Sequence, residues 1–139
     1  MFFLIKGELK ILKIFIRASC GSSRRAKEWL NQSHIDYKEK NISRMTRDEL
    51  IHIVSLSEFG FEELMVGKTA RATNARAFIM ELSFGEAIDF LLENPTILRS
   101  PLIVAENKLQ IGYNDQELGK FISRKKRKLK REDYEKSIS

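Results

Sequence analysis

The single cysteine of this chain, Cys20, is the residue best suited to chemistry. It follows the apolar run 11–16 and precedes Gly21 and two serines, which are typical of a turn and a helix start. At such a junction, unpaired backbone N–H groups and the helix dipole favour a thiolate, and Arg24 and Arg25 add positive charge. The pattern predicts a functional or formerly functional thiol, and the alternative is a small apolar residue packed under the helix.

One cysteine and two histidines limit the other chemistry available. A lone thiol cannot form an internal disulfide, and His34 and His52 are too few and too far apart for a zinc site, so we expect no metal and no cofactor. Lys6 and Glu8 interrupt the apolar start of the chain, so neither a membrane span nor a secretory signal is predicted. These features together favour a cytoplasmic protein in a reducing compartment.

The positive charge of the chain is concentrated near its C-terminus. The formal net charge is +6, and seven cations lie within residues 124–131, without which the charge would be −1. We expect the tail, residues 124–139, to make accessory, salt-dependent contacts with DNA phosphates or an acidic protein surface. The alternative is a solvated tail, because the cationic run contains no aromatic residues for base stacking.

The elements that must position Cys20 can be predicted from apolar spacing. Ser22 or Ser23 is expected to cap a helix that begins just after Cys20. Short apolar runs predict four strands, at about residues 11–16, 37–42, 102–105 and 108–111.

Between about residues 46 and 94 the pattern becomes helical. Thr46 with Glu49, and Ser83 with Glu86, have the spacing of a capping box, so each pair should begin a helix. This block is interpreted as a helical insert rather than as a separate domain. Four aromatic residues at helical spacing are expected in the core: Trp29, Phe78, Phe84 and Phe90.

Asn114 is expected to cap a closing helix that runs through Phe121 and Ile122. A strand, helix and strand, followed by a hairpin and a closing helix, is the thioredoxin-like arrangement. We therefore predict one α/β domain over residues 1–139, with a mixed four-stranded sheet and an inserted helical subdomain.

A second chemical signal lies directly before the third predicted strand, at Arg99, Ser100 and Pro101. In thioredoxin-like folds a proline at this point is typically cis and faces the cysteine loop. The alternative is an ordinary proline at the start of a strand.

From about Ile11 to Arg127 the chain resembles the Spx family of bacterial transcription regulators, which are close relatives of the arsenate reductases. The segments that carry the resemblance are residues 19–23, Gly60, 93–95, 98–103 and 109–114, followed by Glu117, Phe121, Arg124 and Lys125.

The resemblance implies a protein that binds the C-terminal domain of the RNA polymerase α subunit and redirects transcription in a stress response, without enzymatic activity or a DNA-binding motif of its own. It assigns Gly60, Arg99 and Cys20 to the partner-binding surface and makes Cys20 the redox residue. The alternative for Gly60 is that it only provides a turn with positive φ.

This chain differs from the family pattern at three positions. Ser23 replaces the second cysteine of the Cys-x-x-Cys motif that many Spx proteins use, so we predict no intramolecular disulfide switch. Ser100 replaces the usual arginine beside the proline, and Lys68 replaces another, which weakens anion binding. The rival interpretation is an arsenate reductase-like thiol enzyme with Cys20 as nucleophile, Arg99 for the anion, and glutathione or glutaredoxin as reductant.

Overall fold

A mixed four-stranded sheet organises the molecule. The structure is a computed structural model that describes residues 12–67 and 69–121. Ile11, Lys68, Ile122 and the basic tail, on which several predictions fall, lie outside the described residues. The elements are β1 (Leu12–Ile16), α1 (Gly21–Gln32), β2 (Tyr37–Asn41), α2 (Arg47–Leu56), α3 (Phe61–Leu64), α4 (Ala70–Ile79), α5 (Phe84–Glu93), β3 (Leu102–Val104), β4 (Leu109–Ile111) and α6 (Asp115–Leu118), with single 3₁₀ turns at Ile42–Arg44, Pro95–Ile97 and Gly119–Phe121.

The strand order is β2-β1-β3-β4. β1 pairs in parallel with β2, and β3 is antiparallel to both β1 and β4. A parallel pair needs a crossover connection, which α1 supplies, whereas the short turn between β3 and β4 suits an antiparallel hairpin. The predicted α/β class and thioredoxin-like sheet are confirmed.

Alternation along the strands divides the core into two layers. Leu12 and Ile14 of β1 pack with α1 and α6 on one face of the sheet, whereas Phe15 packs with the helices that follow β2 on the other. The same alternation in β3 places Ile103 in the first layer and Leu102 in the second.

Both predicted capping boxes are present. Thr46 Oγ1 accepts from the Glu49 N–H at the start of α2, and Ser83 Oγ accepts from the Glu86 N–H at the start of α5, with each glutamate accepting in return. Four helices, α2 to α5, follow one another between β2 and β3.

Three local predictions were wrong. Cys20 itself, and neither Ser22 nor Ser23, is the N-cap of α1. The closing helix ends at Leu118 and tightens into a 3₁₀ turn, so it does not continue as an α-helix through Phe121.

The third wrong prediction concerns two aromatic residues. Phe78 and Phe84 are 50% and 52% exposed and are not core residues, because helical spacing defines a face without showing which side the fold covers. Within residues 12–67 and 69–121, no helix is long and apolar enough to cross a bilayer.

Candidate functional site

The Cys20 thiol caps the first helix. Cys20 has extended backbone dihedrals, φ −92° and ψ 115°, and its Sγ accepts from the Ser23 N–H with an N···S distance of 3.4 Å. Sulfur thus takes the place that a hydroxyl oxygen usually occupies at an N-cap. The helix start directs both an N–H group and the positive end of the dipole at the thiol.

The loop before β3 closes over this thiol. The Ser100–Pro101 peptide bond is cis, and the Cys20 thiol lies 3.8 Å from the Ser100 carbonyl oxygen, to which it donates. Ser23 Oγ and Ser100 Oγ are 3.0 Å apart, so one hydroxyl donates to the other. Ser100 Oγ also accepts from the Arg17 backbone N–H at 3.0 Å. The two serines that depart from the family pattern are therefore bonded to each other.

These contacts lower the pKa of the Cys20 thiol. Partial burial raises the pKa of Cys20, but hydrogen bonds from the Ser23 hydroxyl and N–H and from the Ser100 hydroxyl lower it by more, so its pKa lies below the ordinary value. The Cys20 thiol is therefore more acidic than that of an ordinary cysteine.

Arg17 is a site residue that the sequence patterns did not reveal. Its guanidinium Nη2 donates to the carbonyls of Pro95 (3.2 Å) and Leu98, and so fixes the 3₁₀ turn before β3 to the end of β1. A single arginine after a strand carries no spacing signal, and its partners lie about eighty residues away in sequence.

A cavity of about 380 Å³ lies beside Ser100. It is lined by Arg17, Val66, Gly67, Arg99, Ser100 and Gly112. Arg99 is exposed, and its backbone N–H donates to the Leu64 carbonyl at 2.8 Å. At the position nearest the thiol the loop presents a hydroxyl in place of a guanidinium fork, which is a poor arrangement for holding an oxyanion against sulfur.

Gly60 belongs to a different part of the fold, the loop between α2 and α3, and it does not line this cavity. Its φ of +75° is a conformation that favours glycine, and a Cβ there would meet nothing within 4 Å. The Gly60 N–H donates to Ser57 Oγ at 3.1 Å. The turn itself therefore requires glycine, whatever its part in binding. The structure brings Cys20 and Pro101 together and leaves Gly60 on a separate loop.

Comparison with known proteins decides the family. The model of the ArsC family matches residues 15–121. "Global transcriptional regulator Spx 2" of Bacillus anthracis is 42% identical over 113 residues, which cover 80% of this chain and 86% of the relative. "Global transcriptional regulator Spx" of Streptococcus pyogenes is 36% identical over 120 residues, covering 85% of this chain and 90% of the relative.

This chain belongs to the Spx branch of the ArsC family. The resemblance identified from the motifs is thus confirmed. Among solved structures, a possible arsenate reductase from Streptococcus mutans matches this chain with a TM-score of 0.63 and 25% identity, covering 76% of this chain and 92% of that chain. An arsenate reductase from Vibrio cholerae matches with a TM-score of 0.65, covering 81% and 98%, but its 16% identity shows the shared fold alone.

Proposed function

We propose that this protein is a transcriptional regulator that binds the C-terminal domain of the RNA polymerase α subunit, through a surface that includes the Cys20 loop, Arg99 and the Gly60 turn. It acts in the cytoplasm as part of a stress response. The basic tail adds salt-dependent contacts with DNA phosphates. Relatives of 36–42% identity that carry the name of a global transcriptional regulator support this function.

One observation carries the choice of a regulator over an enzyme. The side chain beside the cis proline is the Ser100 hydroxyl, and it is bonded to Ser23 and to the Arg17 N–H. Because the Ser100 hydroxyl already forms these intramolecular hydrogen bonds, it is not available to bind a substrate oxyanion next to the thiol. The remaining arginine of the cavity, Arg99, is exposed and suits contact with an acidic partner surface.

The absence of a second thiol also shapes the proposal. Cys20 is the one cysteine in the sequence, and Ser23 occupies the position from which a resolving thiol would act. The regulator therefore operates without an intramolecular disulfide switch.

Binding can be tested by calorimetric titration of the whole protein with the purified α C-terminal domain. We expect saturable binding in the micromolar range and a loss of roughly tenfold or more in Arg99→Glu, because the substitution reverses an exposed charge at the interface. Arg71→Glu, which makes the same change at an exposed position on α4, is the control and should bind within about twofold of the unmodified protein. If binding is not saturable up to about 100 µM, the proposal is wrong.

The second candidate function is an arsenate reductase-like thiol enzyme, which the lowered pKa of the Cys20 thiol favours. Arsenate, glutathione and glutaredoxin supplied together should give no turnover above the background rate. Turnover that disappears in Cys20→Ser would reverse the ranking of the two functions.

A further inference from the structure

An exposed apolar groove lies between the loop before α3 and the turn that joins α4 to α5. Its volume is about 510 Å³. The side chains at its mouth are unusually open to solvent: Phe59 is 73% exposed, Met80 is 85% exposed and Phe84 is 52% exposed. Clustered apolar side chains of this kind mark interaction sites, whereas single exposed ones are ordinary.

The groove is held in shape by contacts around it. The rings of Phe61 and Phe84 lie 5.4 Å apart, centroid to centroid, and join α3 to α5. Glu63 Oε1 accepts from the Phe59 N–H at 3.1 Å, which fixes the loop that presents this phenylalanine. These contacts hold Phe59 and Phe84 in place at the surface, so their exposure is a feature of the folded structure.

The charge around the groove is negative. Glu62 lines it, and the exposed residues Glu58 and Glu81 are the sequence neighbours of the lining residues Phe59 and Met80. Arg76, the cation among the lining residues, donates to the carbonyl oxygens of Val66 (3.0 Å) and Gly67 (2.7 Å). Its positive charge remains and offsets one of the three carboxylates, so the rim keeps an excess of negative charge and attracts cations.

We propose that this groove binds an amphipathic helix of another protein, whose apolar face is flanked by lysine or arginine. An apolar groove with an acidic rim matches such a helix in both shape and charge. A second copy of this chain would bring two acidic rims together. The chain's own tail has the required charge but only one apolar residue, Leu129, within residues 124–131. This groove is separate from the cavity beside Ser100, but its lining residues Phe59 and Phe61 flank Gly60, so it adjoins the surface proposed above for the polymerase. The peptide titration below tests the groove without the polymerase subunit.

Two synthetic helical peptides of about 18 residues test the proposal by fluorescence anisotropy with the whole protein. Both carry the same apolar face of leucine and phenylalanine, flanked by lysine in one and by glutamate in the other. We expect saturable binding of the lysine peptide, binding of the glutamate peptide at least roughly tenfold weaker, and a weaker lysine complex as salt rises from about 50 to 500 mM.

The structure offers a matched pair of variants. Phe84→Ser should weaken the lysine peptide about tenfold or more, since Phe84 lines the groove. Phe78→Ser is the control, because Phe78 is equally exposed and contacts Phe90 in a similar ring pair at 5.0 Å, but does not line the groove. Met80→Ser, at the most exposed lining position, repeats the Phe84 test with the least risk to folding. Thermal unfolding checks each variant.

Several results would overturn the proposal. Equal binding of the two peptides, no saturable binding, or equal loss in Phe84→Ser and Phe78→Ser would each refute it. A dimer in sedimentation velocity that Phe84→Ser dissociates would assign the groove to a second copy. Displacement of the lysine peptide by an equal concentration of a synthetic peptide of residues 122–139 would assign it to the chain's own tail.

Discussion

The polar contacts of Cys20 explain how a lone thiol can be activated without a neighbouring guanidinium. Its sulfur accepts from the Ser23 N–H and lies next to the Ser100 loop, and Ser23 and Ser100 share a hydrogen bond. The apolar run before Cys20 and the glycine and serines after it predicted a thiol at a helix start, because all of these residues are close together in sequence. The bond between the two serines could not be predicted, because 77 residues separate them.

This arrangement predicts the reactivity of the thiol. The rate of Cys20 alkylation by iodoacetamide should reach half its maximum at a pH below that of an ordinary cysteine, because the pKa is lowered. Ser23→Ala and Ser100→Ala each remove a hydroxyl that lowers this pKa, so both should shift the profile to higher pH and slow alkylation near pH 7.

Ser22→Ala is the control for this measurement. The Ser22 hydroxyl accepts from Arg25, and only the Ser22 backbone contributes to the lowered thiol pKa, so the profile should not move. An unchanged profile in both Ser23→Ala and Ser100→Ala would contradict the assignment.

At the scale of elements, Glu49 connects helix α2 to the sheet. Its carboxylate accepts from Lys13 of β1 at 3.0 Å and from Lys40 of β2 at 2.8 Å, and it also completes the capping box with Thr46. Burial would raise the pKa of Glu49, but the two lysines and the Thr46 N–H lower it from 4.5 to about 2. The capping box was predictable because Thr46 and Glu49 are only three positions apart in sequence. The two lysines belong to strands, and the local sequence does not reveal which helix those strands contact.

Glu49→Gln tests this connection, since glutamine can keep the capping box but not the charge. A group whose folded pKa is depressed stabilises the fold above its unfolded pKa, and this contribution disappears as pH falls towards the folded value. We expect Glu49→Gln to lower the free energy of unfolding by roughly 1–3 kcal/mol at pH 7, measured by urea denaturation, with the difference shrinking as pH falls from about 4.5 to about 2.

The matched control is Glu86→Gln, which alters the equivalent capping box of α5. Glu86 is fully exposed, and its pKa is lowered only by its bonds with Ser83, so its loss of stability should be smaller. Equal effects of the two substitutions would show that the lysines contribute nothing.

At the scale of the whole molecule, the fold class was predictable and the surface was not. The order of strand, helix, strand, insert and hairpin predicted a thioredoxin-like sheet. Each of these elements could be recognised from the periodicity of its own apolar residues. Phe84 shows the limit of that approach. As the first residue of α5 it has the spacing of a core position, yet the fold leaves it at the mouth of a groove. Which face of a helix is buried depends on the elements that pack against it. The spacing and the types of the residues in that helix do not reveal those elements.

The position of β2 at one end of the sheet restricts how other proteins can attach. Its sequence is Tyr-Lys-Glu-Lys-Asn, so this edge strand carries charges of alternating sign. Charged residues on an edge strand disfavour pairing with a strand of another protein. The opposite margin, β4, is only three residues long and offers little ladder to extend. Both edges of the described sheet therefore disfavour strand addition, which favours recognition through side chains on the loops and helices.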